Sequence, residues 1–220
     1  MIIVFCGRTS DGATGITRQL RVSGLPVVKT GVLESCRNAT LVVNWGCSLR
    51  FPTFTPRVLN RCIVGDKFHE LELLHRAGVN TPRFSRSRHV GWIGRRFMHE
   101  DARDIQESLE VGDYYVERLG IVDEYRVHSF LGRSILLGKK VPRTDVGEVH
   151  PWIRSWNNGW GLSYNGTWRT RIPNNIRDLA HAAVRAVNYD FGAVDLGVTG
   201  DSRTVVFEVN SAPGDGGVAE

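Results

Sequence analysis

The residues best suited to chemistry lie near the end of the chain, in Ala193-Val-Asp-Leu-Gly-Val198 and Val205-Val-Phe-Glu-Val-Asn-Ser-Ala-Pro-Gly214. Asp195, Glu208 and Asn210 offer two carboxylates and an amide oxygen. One or two carboxylates, completed by phosphate oxygens and water, are what Mg2+ prefers. Val194, Leu196 and Val198 alternate with Ala193, Asp195 and Gly197, and Val205, Phe207 and Val209 with Val206, Glu208 and Asn210, and this period of two predicts a pair of strands. Thr199-Gly-Asp-Ser202 has the chemistry to reverse the chain between them. Successive strand residues face opposite sides, so Glu208 and Asn210 share a face. A hairpin closing around Asp201-Ser202 sets Asp195 opposite Glu208 on that face, and a one-residue slip would undo it. A solvated hairpin with acids on its open side accounts for the same residues. Directly opposed carboxylates repel, however, unless a cation lies between them. A bound metal is the favoured reading.

Composition bounds what can surround this hairpin. With 220 residues, 41% hydrophobic and 23% charged, the chain can bury a core and form one or two small domains. No apolar run reaches membrane-spanning length, and Met1-Ile-Ile-Val-Phe-Cys6 is too short for a signal peptide. A cytoplasmic protein is expected. Cys6, Cys36, Cys47 and Cys62 lack the close paired spacing of zinc and redox motifs, so they are expected to be reduced thiols. A formal charge of +5 suits a polyanionic partner, nucleotide phosphates as well as nucleic acid.

The apolar run Ile2 to Cys6, the loop Gly7-Arg-Thr-Ser-Asp-Gly-Ala-Thr-Gly15 and a short helix to Arg21 form a βα unit. Its loop matches neither the dinucleotide fingerprint nor the Walker A pattern. A tight turn is favoured over an anion site. Leu41-Val-Val-Asn44 reads as a further strand, the Pro/Arg-rich piece Phe51 to Arg57 as a linker, and a boundary falls near Gly65. Asp66 caps a helix from Lys67 to Ala77 with Phe68, Leu71, Leu74 and Ala77 on one face, closed by Gly78. Ser85 to Arg103 carries Arg86, Arg88, Arg95, Arg96 and Arg103 with Trp92 and Phe97 interleaved. Nucleic acid could stack there, but a sheet with a phosphate-facing basic side explains the block better.

Tyr114 to Leu119 reads as a strand and a turn. Glu124, Arg126, His128 and Phe130 share one face of the next strand, opposite Tyr125, Val127 and Ser129; Ser134 to Val141 is the returning strand. Glu148 to Trp168, with Arg154, Asn157, Asn158 and four tryptophans, has the composition of a binding loop or of an edge plug. Asn175 to Val187 is the clearest helix, with Ile176, Leu179, Ala180, Ala183, Val184 and Val187 on one face. Asn175 with Asp178 resembles a capping box.

Taken in order, these pieces resemble the ATP-grasp ligases. Asp66-Lys-Phe with Ala77-Gly-Val-Asn-Thr-Pro82 is similar to the entry of the family's nucleotide-binding domain. Tyr115-Val-Glu117 to Leu119 resembles the hinge that hydrogen-bonds adenine through backbone groups. Glu124-Tyr-Arg-Val-His128 resembles the strand whose arginine faces substrate and phosphate. Ala193-Val-Asp195 with Phe207-Glu-Val-Asn-Ser-Ala-Pro-Gly214 resembles the metal-binding strands, the most specific of these signals. The layout is closest to the ribosomal-protein glutamate ligase branch. Gly7 to Ala13, Asn44-Trp-Gly46 and Glu124 to His128 look more like the compact phage-encoded carboxylate–amine ligases.

The resemblance implies an α/β ATP-grasp fold with a small Rossmann-like N-terminal domain over residues 1–65, a first ATP-grasp subdomain over 66–116 and a second over 117–220. It implies ATP and one or two Mg2+ ions as cofactors, and a carboxylate and an amine joined as an amide through an acylphosphate. Asp195, Glu208 and Asn210 would then hold the metal. Lys67, Arg95 and Lys139 would face the phosphates, with Asn158 adding an amide contact. Glu117, Arg118 and Leu119 would frame adenine, and Arg126 and Arg154 would clamp the acylphosphate or the acceptor carboxylate. The sequence departs from the family at Val90 to Ile105, where Arg95 and Arg96 replace the usual strand lysine and Glu100-Asp-Ala replaces glycines. Arginine can grip phosphate in a bidentate manner, whereas carboxylates there are unfavourable. A small-molecule kinase on the same fold, a basic nucleic-acid-binding protein and a non-catalytic relative stay open as alternatives.

Overall fold

The computed structural model describes residues 1–7, 10–51, 53, 57–97 and 112–214. The N-terminal part is a parallel sheet in the order β2-β1-β3-β4, built from β1 (Ile2–Phe5), β2 (Val27–Thr30), β3 (Leu41–Asn44) and β4 (Val58–Leu59). The central strands β1 and β3 are largely apolar and buried, as strands covered on both faces require, whereas β2 at the edge carries Lys29 and Thr30. The helix α1 (Asp11–Val22) follows β1 and is capped by Ser10, whose Oγ accepts from the Ala13 N–H at 3.2 Å. Arg8 and Thr9 of the intervening loop lie outside the described residues.

The helix α2 (Lys67–Arg76) begins where Asp66 accepts the Phe68 N–H at 2.8 Å. It ends at Gly78, whose φ of +74° needs no Cβ. A small antiparallel sheet follows in the order β5-β7-β6, made of β5 (Phe84–Ser85), β6 (Trp92–Arg95) and β7 (Tyr114–Glu117). It meets α2 through aromatic edges: the Phe68 ring lies 5.4 Å from Phe84 and 5.6 Å from Tyr114.

The largest sheet is antiparallel, ordered β10-β9-β8-β11-β12, from β8 (Ile121–Phe130), β9 (Arg133–Pro142), β10 (Trp160–Ser163), β11 (Phe191–Thr199) and β12 (Thr204–Asn210). One face carries Tyr125, Val127, Leu137, Val194, Leu196, Val206 and Val209, all buried against α2 and α3 (Ile176–Ala186). The amphipathic stripe of α3 is the reason it packs there. Its start differs from the capping-box expectation. Asn175 makes no side-chain cap bond and has a helical backbone, and its Oδ1 accepts instead from Thr204 Oγ1 at 3.4 Å.

The N-terminal sheet is fastened to β11 by Asn60, which is wholly buried. Asn60 Oδ1 accepts from the N–H groups of Asp190 and Phe191 at 2.7 and 3.1 Å, and its Nδ2 donates to Phe191 O at 2.9 Å. Trp45 stacks on Phe191 at 5.5 Å. Gly46 has φ +74°, and a Cβ there would come within 2.5 Å of Ala212 Cβ, so the Asn44-Trp-Gly46 turn and the Ser-Ala-Pro-Gly segment abut.

Candidate active site

The other face of the central sheet is polar, and its register aligns the polar groups in rows. Gly138, Arg126, Asp195 and Glu208 stand opposite one another across β9, β8, β11 and β12. The row on one side holds Leu136, His128, Ala193 and Asn210; on the other side Lys140 and Gly197 flank Glu124.

Two β-bulges decide which side chains enter these rows. The turn after β11 does not close around Asp201-Ser202: the Thr199 N–H donates to Arg203 O at 2.9 Å across three residues, which offsets the register by one. Continued without interruption, that register would set Glu208 against Val194, on the packed face. The pairing shifts between Asp195 and Leu196, leaving Phe207 as the extra residue and restoring Glu208 opposite Asp195. The second shift, between His128 and Ser129, makes Ile135 the extra residue of β9. A hairpin without it would place Lys139 opposite Glu124; with it, Lys140 takes that place. Bulges beside functional sites re-aim side chains in this way.

Asp195 is 4% exposed. Arg126 grips it with two bonds, Nε to Oδ1 at 2.7 Å and Nη2 to Oδ2 at 2.8 Å, and Lys140 Nζ lies 3.8 Å from Oδ2. Burial pushes this carboxyl up, but the Arg126 and Lys140 charges outweigh it and hold Asp195 below the usual aspartate value. Burial pushes Glu124 up, opposed by its ion pair with Lys140. The Lys140 ammonium stays raised because Glu124 and Asp195 outweigh its desolvation. His128, two residues along from Arg126, has a buried Nε2 with no hydrogen-bond partner among the described residues, and burial followed by the Arg126 charge pushes it down to about 4.

Glu208 Oε1 accepts from Asn210 Nδ2 at 2.8 Å, leaving the Asn210 amide oxygen for another partner, and Glu208 Oε2 lies 3.5 Å from Lys67 Nζ. Among the described residues no three His, Cys, Asp or Glu side chains group closely enough to hold a metal by themselves. That suits a hard cation that takes only one or two carboxylates and completes its shell elsewhere. An ionised carboxylate has about four lone-pair sites, so Asp195 keeps capacity beyond the two bonds from Arg126. The donor set therefore fits Mg2+.

The remaining residues singled out from the sequence are dispersed. Lys139 lies on the opposite face from Lys140, paired with Asp123 and 5.7 Å above the Tyr125 ring. Arg154 is pinned at the start of β8, where Nη2 donates to Ile121 O at 2.9 Å and the guanidinium covers Trp160 at 4.7 Å. Arg95 ends β6 opposite Tyr114. Asn158 gives its amide N–H to Ser155 Oγ at 2.7 Å, inside its own loop. The Glu117 carboxylate is held by Arg83 at 3.0 and 2.7 Å, Arg118 lies over Trp152 at 4.6 Å, and Leu119 O accepts from the Ile121 N–H.

In the basic block, Arg86 covers the Phe68 and Phe97 rings at 4.3 and 5.2 Å, and Arg96 pairs with Asp113 at 3.3 Å. Glu100 to Ile105, including Arg103, lies outside the described residues. Lys140 and Glu70 are not singled out by the sequence, which places Glu124 beside Arg126 on one face without giving it a role. For Glu70 a signal existed: it falls one helical turn after Lys67, beside Leu71 and Leu74 on the stripe that α2 buries.

No protein-family model matches the sequence, and no curated protein matches it significantly. Solved structures match in fold. The ATP-grasp ligase PsnB, complexed with minimal precursor, Mg and ADP, aligns with a TM-score of 0.68 at 14% identity over 97% of this chain and 89% of that one. D-alanine–D-alanine ligase from Bacillus anthracis, complexed with ATP, gives 0.66 at 13% identity over 97% and 86%. The macrocyclase MdnC from Microcystis aeruginosa MRC, bound with precursor peptide MdnA, gives 0.64 at 11% identity over 97% and 91%. The chain has the ATP-grasp fold. Among the described residues no helix is long and apolar enough to cross a membrane.

Proposed function

We propose that this ATP-grasp fold works as an ATP- and Mg2+-dependent carboxylate–amine ligase. The observation that carries the reading is the aligned row Arg126–Asp195–Glu208, with Lys67 at one end and Lys140 beside it, on the polar face of a sheet whose other face is core. The solved ligases of the same fold, in complexes with ATP or with Mg and ADP, support it. In this reading residues 1–65, 66–116 and 117–220 are the N-terminal domain and the two ATP-grasp subdomains. The branch we favour is that of the ribosomal-protein glutamate ligases and the compact phage-encoded group. The acid and amine are carried by amino acids, peptides or proteins.

Asp195, Glu208 and Asn210 would hold Mg2+, which supplies positive charge against the phosphate oxygens. A substrate carboxylate oxygen attacks the γ-phosphorus and the bond to the ADP oxygen breaks, leaving an acylphosphate. An amine nitrogen then attacks the acyl carbon; inorganic phosphate leaves and the nitrogen loses one proton. The protein's part is positioning and charge neutralisation. Arg126 presents a guanidinium fixed by Asp195, and Lys140, rather than Lys139, takes the phosphate-facing place. Lys67 and Arg95 serve the same end from α2 and β6. Glu117 to Leu119 lies at the adenine end, where Arg154 anchors the first residues of β8.

The test is Glu208→Ala, which should abolish ATP turnover while the melting temperature stays near that of the parent. Parent-like turnover in that variant sinks the assignment. Phosphate release that requires both an acid and an amine separates a ligase from a kinase, which would leave the phosphoryl group on a single product.

A further inference from the structure

β12 is the outer strand of the central sheet, so its outward N–H groups have no strand to receive them. Two are met from the α2 side: Asn80 O accepts from the Val206 N–H at 2.8 Å, and Glu70 Oε1 accepts from the Val209 N–H at 2.9 Å. Val209 lies between Glu208 and Asn210. Glu70 thus ties the strand down at the point from which two candidate metal ligands project. The same Glu70 oxygen is 3.5 Å from Lys67 Nζ, and that ammonium is also 3.5 Å from Glu208 Oε2.

The two carboxylates sharing this ammonium are unlike. Glu70 is 2% exposed, tied to the β12 backbone, and one helical turn from Lys67 on a rigid element. Glu208 is 25% exposed on the polar face. We infer that Lys67 is a built-in counter-cation for Glu208: a divalent cation arriving at Glu208 displaces the ammonium, and Glu70 keeps it beside the site. The inference rests on Glu208 being a metal ligand, as proposed above. Glu70 acts through Lys67 and is a positioning residue. The consequence is selectivity. A retained positive charge repels a bare divalent cation, yet attracts one that arrives with a polyphosphate.

Calorimetric titration with MgCl2 and with MnCl2, without nucleotide, tests this. Lys67→Met should tighten bare-cation binding roughly tenfold, since a like charge beside the site is gone, and should weaken binding of Mg·ATP. Glu70→Gln leaves the ammonium to Glu208 alone and should weaken bare-cation binding. A merely structural role would weaken binding in both variants, so shifts of the same sign overturn the inference. So does Lys67→Met binding no tighter than the parent, or no cation binding by either. If Glu70→Gln does not fold, the sign of the Lys67→Met change decides alone. Cation binding that survives Glu208→Ala unchanged instead overturns the metal-site reading itself.

Discussion

Replacing Arg126 by methionine removes two charge-assisted bonds, at 2.7 and 2.8 Å, from a carboxylate that is 4% exposed. Breaking a buried ion pair from one side costs about 3–5 kcal/mol, because the remaining charge has lost both water and partner. Lys140 stays 3.8 Å from Asp195 Oδ2 and offsets part of this, so about 3 kcal/mol should be lost at pH 7. The pH dependence carries the sign. In the parent, Asp195 sits below its unfolded value despite burial, so its stabilisation is present above about pH 4 and lost as pH falls through the folded value. Without Arg126, burial is no longer outweighed and the carboxyl rises above its unfolded value. Its contribution is then fully present below about pH 4 and lost as pH rises. Urea unfolding at pH 4, 5, 6 and 7 should therefore show a deficit that grows with pH. Adding Asp195→Asn should remove that slope. A deficit constant across the range, or larger in acid, would refute the argument.

Asn60→Ala should cost about 3 kcal/mol in the same unfolding assay, because two N–H groups and one carbonyl at the start of β11 lose their partners. Asn60→Gly should be less damaging by about 1 kcal/mol, since the native φ is +54°. Gly46→Ala combines a φ of +74° with a Cβ 2.5 Å from Ala212 Cβ and should lose about 2 kcal/mol. Hydrogen exchange should speed up at Ser211 and Ala212 in that variant. Lys140→Met should cut ligand-dependent phosphate release by about 100-fold or more. Lys139→Met, which removes an ion pair with a partly exposed Asp123 and a contact over the Tyr125 ring, should stay within about threefold; equal losses would undo the assignment of faces.

What local sequence determined about this protein is the side of each strand and helix. Alternation alone places Glu124, Arg126 and His128 together and turns Tyr125 and Val127 toward the core, as the buried cluster shows. The caps at Asp66 and Gly78 bound α2 where they stand. Partners across the sheet are another matter. Glu70 reaches Val209 across 139 residues and Asn60 reaches Asp190 across 130, and no local period encodes such pairs. The bulges at Phe207 and Ile135 show the limit most sharply. Each inserts one residue and so exchanges the two faces of everything beyond it. Asp195 meets Glu208 through a register offset at the turn that a bulge then corrects, and Lys140 replaces Lys139 through the second bulge. Alternation records which neighbours share a side; only the folded register says which side faces which, because a single unpaired residue inverts the answer at no cost to the pattern.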